Sequence, residues 1–153
     1  MRVHYEFTTA SSPEEVVSAL TDFSQRRPEI WPGLDPAHYQ VHELGDRWAV
    51  VTEGSRSPNV WARERYDWSL PGTVSWRVEE SDFCRPPSGI VASVSPGPGG
   101  GSRVHVDWER TPTAVNGRLI ALAVRVAKDR ALGLKPALDR LAEARGHEVR
   151  EAA

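Results

Sequence analysis

The order of hydrophobic periodicities along this chain constrains its fold more than any single motif. One alternating segment comes first, then a proline-broken helical stretch. A run of alternating segments at hairpin spacing follows, and a long amphipathic segment of helical period ends the chain. An antiparallel sheet accompanied by one long amphipathic helix must wrap that helix to bury its apolar stripe. A curved sheet gripping a helix leaves room for a cavity between them, and such a cavity suits an apolar small molecule. The expected class is therefore α+β, with a seven-stranded antiparallel sheet curved around a long C-terminal helix and two short helices after the first strand.

Composition narrows the functional classes. The 153 residues are enough for one substantial core, so a single domain over 1–153 is expected. A formal net charge of -2 supplies no basic field for nucleic acid. Cys84 is the only cysteine, which excludes an internal disulfide and fits a reducing cytoplasm. The segment Met1-Arg2-Val3-His4-Tyr5-Glu6 lacks the apolar core of a signal peptide. The longest apolar run, Leu119 to Val124, is far short of the ~20 residues a membrane span needs. The Pro96-Gly97-Pro98-Gly99-Gly100-Gly101 stretch reads as a loop between strands.

Val3, Tyr5 and Phe7 alternate with polar neighbours and predict a half-buried strand. Ser12-Pro13-Glu14-Glu15 opens a helix: Ser12 caps, Pro13 takes the first turn, and Glu15 completes a capping box. Pro28 and Pro32 limit Ser24 to Leu34 to a short second helix and a turn. Tyr39 to Leu44 and Trp48 to Glu53 read as a hairpin around Gly45-Asp46, which puts Tyr39, Val41, Trp48 and Val50 on one apolar face. Val60 to Trp68 and Thr73 to Glu80 form the next pair. A three-residue loop, Leu70-Pro71-Gly72, gathers Val60, Ala62, Tyr66, Trp68, Val74, Trp76 and Val78 on one face, with Gly72 left-handed. Ile90, Ala92 and Val94 mark a sixth strand, and Val104, Val106 and Trp108 a seventh.

Thr111-Pro112-Thr113 is the expected start of a helix running to about Arg145, kinked at Pro136. At helical spacing Asn116, Ile120, Ala123, Ala127, Ala131, Leu134, Leu138 and Leu141 share a face. The leucines fill space. The alanines before them mean either close approach of helix to sheet or an open cavity.

The junction Ala10-Ser11-Ser12-Pro13-Glu14-Glu15-Val16-Val17 with Leu20-Thr21-Asp22-Phe23, the later Pro28 and Trp31, and Gly101-Ser102-Arg103-Val104-His105-Val106-Asp107-Trp108 before the last helix resemble the START / Bet v 1-like superfamily. Bacterial members of that superfamily are often labelled polyketide cyclase/dehydrase-like, and the chain resembles such a member. The resemblance spans nearly the whole chain and implies the helix-grip fold with a cavity under the long helix. It carries over no universal catalytic motif, because members bind lipids, sterols, polyketides and hormones with different residues.

Candidate chemistry comes from the inward faces. Glu64 stands between Ala62 and Tyr66; a buried carboxylate there has a raised pKa suited to acid–base work, or it pairs with a structural partner. Tyr66, Trp76 and Trp48, beside Val50, can stack on a planar ligand or simply build core. Asn116 can bond a ligand carbonyl or cap a strand end, and Ile120, Ala123 and Ala127 complete the expected lining. Trp31 can gate the entrance or staple its loop. Local spacing offers no metal-binding motif, and His4 and His105 should point to solvent, so neither metal nor cofactor is expected. Cys84 reads as a bystander in a loop. Trp61 with Arg63, Arg65 and Asp67 on the outer face leaves room for a protein partner.

Three functions follow. The first is binding of a lipid- or polyketide-like apolar or aromatic molecule, by a monomer or homodimer with no nucleic-acid or membrane-spanning role. The second is a cyclase, aromatase or dehydratase using Glu64 and Tyr66. The third is an interaction module built on Trp61.

Overall fold

In the computed structural model, residues 1–113 and 115–151 are described, with side chains described except at 127–132 and 145–151. The alternation of Val3, Tyr5 and Phe7 makes β1 (Arg2–Thr9), with those three side chains buried and their neighbours exposed. The expected capping box is present at α1 (Pro13–Leu20): the Ser12 hydroxyl accepts from Glu15 N–H, and the Glu15 carboxylate accepts from Ser12 N–H at 2.7 Å. α2 (Arg27–Ile30) is one turn, with Pro28 at its start and Pro32 just beyond its end. A 3-10 turn over Pro36–His38 leads into six further strands: β2 (Gln40–Leu44), β3 (Trp48–Arg56), β4 (Asn59–Asp67), β5 (Thr73–Ser81), β6 (Cys84–Pro96) and β7 (Ser102–Pro112). They form one antiparallel seven-stranded sheet in the order β1-β7-β6-β5-β4-β3-β2.

The register decides which side chains meet. Tyr66 lies opposite Trp76, Trp76 opposite Ile90, and Ile90 opposite Trp108. The three-residue loop is as expected, with Gly72 at φ +69° and Thr73 N–H donating to Leu70 C=O at 3.1 Å. Four strands thus contribute to one continuous inner face, and each fully buried valine or leucine on it stabilises by roughly 1.5–3 kcal/mol. Val74, Ala92 and Val106 in its middle are completely buried.

Three expectations about the strands are corrected. The β2–β3 turn is at Asp46 and Arg47, with Gly45 N–H donating to Trp48 C=O at 2.8 Å, and a bulge lies between Val41 and Glu43. The bulge puts Val41 opposite Val51, so Ala49 and Val51 join the inner face while Trp48 and Val50 take the outer one. Cys84 is not in a loop: it opens β6, opposite Pro112, and is buried.

The C-terminal segment is two helices, not one kinked helix. α3 (Val115–Leu132) ends at Gly133, which sits at φ +66°, and α4 (Leu134–Glu151) begins immediately after it. Glycine takes the left-handed conformation without steric cost and so terminates a helix. Pro136 then falls in the first turn of α4, where a backbone N–H has no intrahelical partner to lose. The break resets the helical phase. In α4, Leu134, Ala137 and Leu138 are buried as the pattern requires. Among the described side chains of α3 the buried positions are Gly117, Ala121 and Val124, while Asn116 and Ala123 are exposed. No helix among the described residues is long and apolar enough to cross a membrane.

Candidate functional site

A cavity of about 190 Å³ opens between the inner face of the sheet, the α1–α2 segment and the start of α4. Leu20, Trp31, Leu34, Tyr66, Trp76, Ile90 and Leu134 form its apolar wall, and Arg27 and Glu53 its polar one. Tyr66 and Trp76 stack with centroids 5.3 Å apart and planes at 12°, a consequence of their direct pairing between β4 and β5. Phe23 meets the edge of Tyr66 at 4.9 Å.

Behind the aromatic pair lies a buried ionic network. Arg27 is 3% exposed. Its Nε bonds the Glu53 carboxylate. Its Nη1 donates to the carbonyls of Leu20 at 3.1 Å and Asp22 at 3.0 Å, groups at and just beyond the α1 terminus that an arginine is suited to satisfy. Its Nη2 donates to the Tyr66 hydroxyl at 3.3 Å, and that hydroxyl donates to Glu53 Oε2 at 2.5 Å. The cation also lies 4.5 Å from the centroid of Phe23. Burial by itself would lower the Arg27 pKa, but the Glu53 carboxylate outweighs it and holds the guanidinium charged. Burial, reinforced by Glu53, pushes the Tyr66 hydroxyl well above the ordinary phenol range. Trp31, one of the lining residues, has its indole Nε1 buried without a hydrogen-bond partner among the described residues.

Of the residues expected at the site, Trp31, Tyr66 and Trp76 line this cavity. Ile120 is half-buried against the same core without reaching the lining. Trp48 faces away, stacked under Arg65 at 4.4 Å from the ring centroid, and Val50 shares its face. Asn116 and Ala123 are exposed, and the side chains of Ala127 and Ala131 lie outside the described residues. Glu64 points inward and is buried, but it is not in the lining. It accepts from Arg110 Nη2 at 2.5 Å. Burial raises its pKa, and the Arg110 charge partly offsets that rise.

Arg27, Glu53, Leu34 and Leu134 were not expected. Glu53 follows Ala49 and Val51 at period two, which would have marked it as inward-facing had the bulge in β2 been foreseen. Arg27 had no such signal, since it stands in a segment without periodicity.

No protein-family model matches the chain, and no curated protein does either. Solved structures do. The TTHA0849 protein of Thermus thermophilus superposes with a TM-score of 0.74 at 17% identity, over 94% of this chain and 98% of that one. A START superfamily protein from Mycobacterium smegmatis gives 0.71 at 14% identity, over 92% and 98%. The Zhui aromatase/cyclase from Streptomyces sp. R1128 gives 0.70 at 17% identity, over 92% and 95%. At these identities likeness speaks to architecture alone, and that architecture agrees with the sheet order and helices above: the chain has the helix-grip, START-like fold.

Proposed function

We propose that this protein binds a small aromatic molecule, of one or two rings, in the cavity between the sheet and the α1–α2 segment. The observation that carries this reading is a cavity of about 190 Å³ walled by the stacked Tyr66–Trp76 pair and by Trp31, whose buried indole Nε1 has no hydrogen-bond partner among the described residues. An apolar cavity of roughly 150 Å³ is enough to take up benzene. A ligand carrying one acceptor oxygen would satisfy the indole N–H, which is otherwise costly to bury unpaired. The single thiol fits a reducing compartment, and we place the protein's work in the cytoplasm.

Titration with a panel of one- and two-ring aromatics tests this reading through tryptophan quenching and melting temperature. Saturable quenching is expected, and Leu34→Trp should fill the cavity and abolish it while the circular dichroism stays native. A panel that neither quenches emission nor raises the melting temperature sinks the proposal.

A second reading, a cyclase-type enzyme, draws on the Tyr66 hydroxyl and Glu53, which face the cavity as a bonded donor–acceptor pair. The fold shared with a protein described as an aromatase/cyclase is compatible with it. Glu64 would then serve structure rather than proton transfer, because it is tied to Arg110 outside the lining. With a substrate in hand, Tyr66→Phe should keep binding and lose turnover.

A further inference from the structure

The outer face of the β1–β7 pair holds a cluster that neither the cavity nor the fold explains. The register sets His4 opposite Asp107 and Glu6 opposite His105. Directly opposed side chains on one face of an antiparallel pair have Cβ atoms only about 4.5–5.5 Å apart. One ligand atom each from His4, His105 and Asp107 lies within 4.8 Å of the other two. His4 Nδ1 contacts Asp107 Oδ1, and His105 Nε2 is 3.6 Å from that same oxygen. A tetrahedral ion about 2.0–2.1 Å from its ligands holds them roughly 3.4 Å apart, so modest side-chain rotation brings all three into range.

The charges around the cluster point the same way. Arg2 pairs with Glu109 and Arg103 with Glu6, at 3.1 and 3.0 Å. Asp107 takes neither arginine; its ionic partners among the described residues are the two histidines. A carboxylate is thus left without a fixed cation and flanked by two imidazoles. On the far side of β7, the opposed residues of β6 are Ser93 and Val91, which add no competing charge.

We propose that His4, His105 and Asp107 form a binding site for a divalent late transition-metal ion of the zinc class. Two imidazoles and one carboxylate select such ions over magnesium or calcium, which take oxygen ligands. The three ligands leave a coordination position open to solvent, with Glu6 close by, its Oε2 4.0 Å from His105 Nδ1. Because β1 is an edge strand, the ion would also pin that edge to its neighbour.

The test is calorimetric titration of ZnCl2 into tag-free, chelator-treated protein, with melting curves alongside and cobalt(II) absorption as a coordination probe. One-to-one binding with Kd well below about 1 mM is expected. Saturating zinc should raise the melting temperature by about 5 °C or more. His4→Ala, His105→Ala and Asp107→Asn should each weaken binding at least about tenfold, the scale of losing a ligand-shell partner. All three side chains are on the surface, so the variants should keep the native circular dichroism. His42→Ala, on a distant strand, should bind as the wild type does. No saturation below about 1 mM, or equal loss in His42→Ala, overturns the site.

Discussion

The Tyr66 hydroxyl lies 2.5 Å from Glu53 Oε2 while the other oxygen of that carboxylate bonds the Arg27 guanidinium, so one acid joins an arginine and a phenol in the wall of the cavity. β4 supplies the tyrosine, β3 the glutamate and α2 the arginine. The network therefore ties the short helical segment to the sheet at the place where a ligand would sit.

Removing two members together should cost less than the sum of removing each alone. Arg27→Met leaves the half-buried Glu53 carboxylate without its cation; breaking a fully buried pair typically costs about 3–5 kcal/mol, and the cost here should be at or below the low end of that range. The double variant Arg27→Met/Glu53→Gln should be less destabilised than the two single losses summed. Urea unfolding of the three variants measures the coupling.

Trp31→Phe keeps a ring at the cavity wall and deletes the free indole N–H. Binding of ligands with an acceptor oxygen should weaken by about 1 kcal/mol, the typical net worth of a hydrogen bond. Binding of plain aromatic hydrocarbons should hold or improve. Equal effects on both ligand types would mean that Trp31 contributes only its surface.

Glu64→Gln should destabilise the fold by about 3–5 kcal/mol, because Arg110 stays buried and charged without its partner. Aromatic binding in the folded fraction should be unchanged, since Glu64 is outside the lining. Loss of binding with stability intact would place Glu64 in the site after all.

Gly133→Ala tests the break between α3 and α4. A Cβ there would meet Pro32 at 3.5 Å or more, ordinary contact, so the cost comes from φ +66° alone. About 1–2 kcal/mol of destabilisation is expected in a melting or denaturant curve. No change would mean that the two helices run as one.

Asp35 should shape the acid limb of the stability curve. It accepts from Ala37 N–H at 3.2 Å, from His38 Nδ1 at 3.1 Å and from Arg56 Nε at 3.3 Å, and the first of these contributes most to holding its carboxyl below the usual aspartate range. The folded form is the stronger acid, so its contribution is present above the unfolded value of about 3.9 and is lost as the pH falls through the folded one. Asp35→Asn should be less stable than the wild type at neutral pH, and the gap should close in acid. A constant gap between pH 7 and 2 would exclude this role.

Local pattern made most of the frame readable. The capping box at Ser12 and Glu15 and the left-handed turn at Gly72 are decided within four residues of chain, so sequence signals reach them. The inward set of β4 and β5 was legible because Tyr66, Trp76 and Val78 alternate on either side of one short turn. Trp31 and the Tyr66–Trp76 pair followed from that face.

Other features depend on geometry that no local window contains. One bulge between Val41 and Glu43 shifts the β2–β3 pairing, exchanging Trp48 for Val51 and Glu53 on the inner face; a side-chain period of two makes any single-residue slip a change of face. A left-handed Gly133 broke the helical phase that had been extended backward from Leu134, which moved Asn116 and Ala123 to the surface. Arg27 meets Glu53 across 26 residues, Glu64 meets Arg110 across 46, and His4 meets Asp107 across 103. The sequence by itself determined the strands, the first helix, most of the inner faces of the sheet and the order of the elements, because periodicity and capping act over a few residues. Only the tertiary structure decided which charges meet, how large the cavity is and which residues line it, because pairing across strands and closure of the helical segment over the sheet depend on every intervening turn.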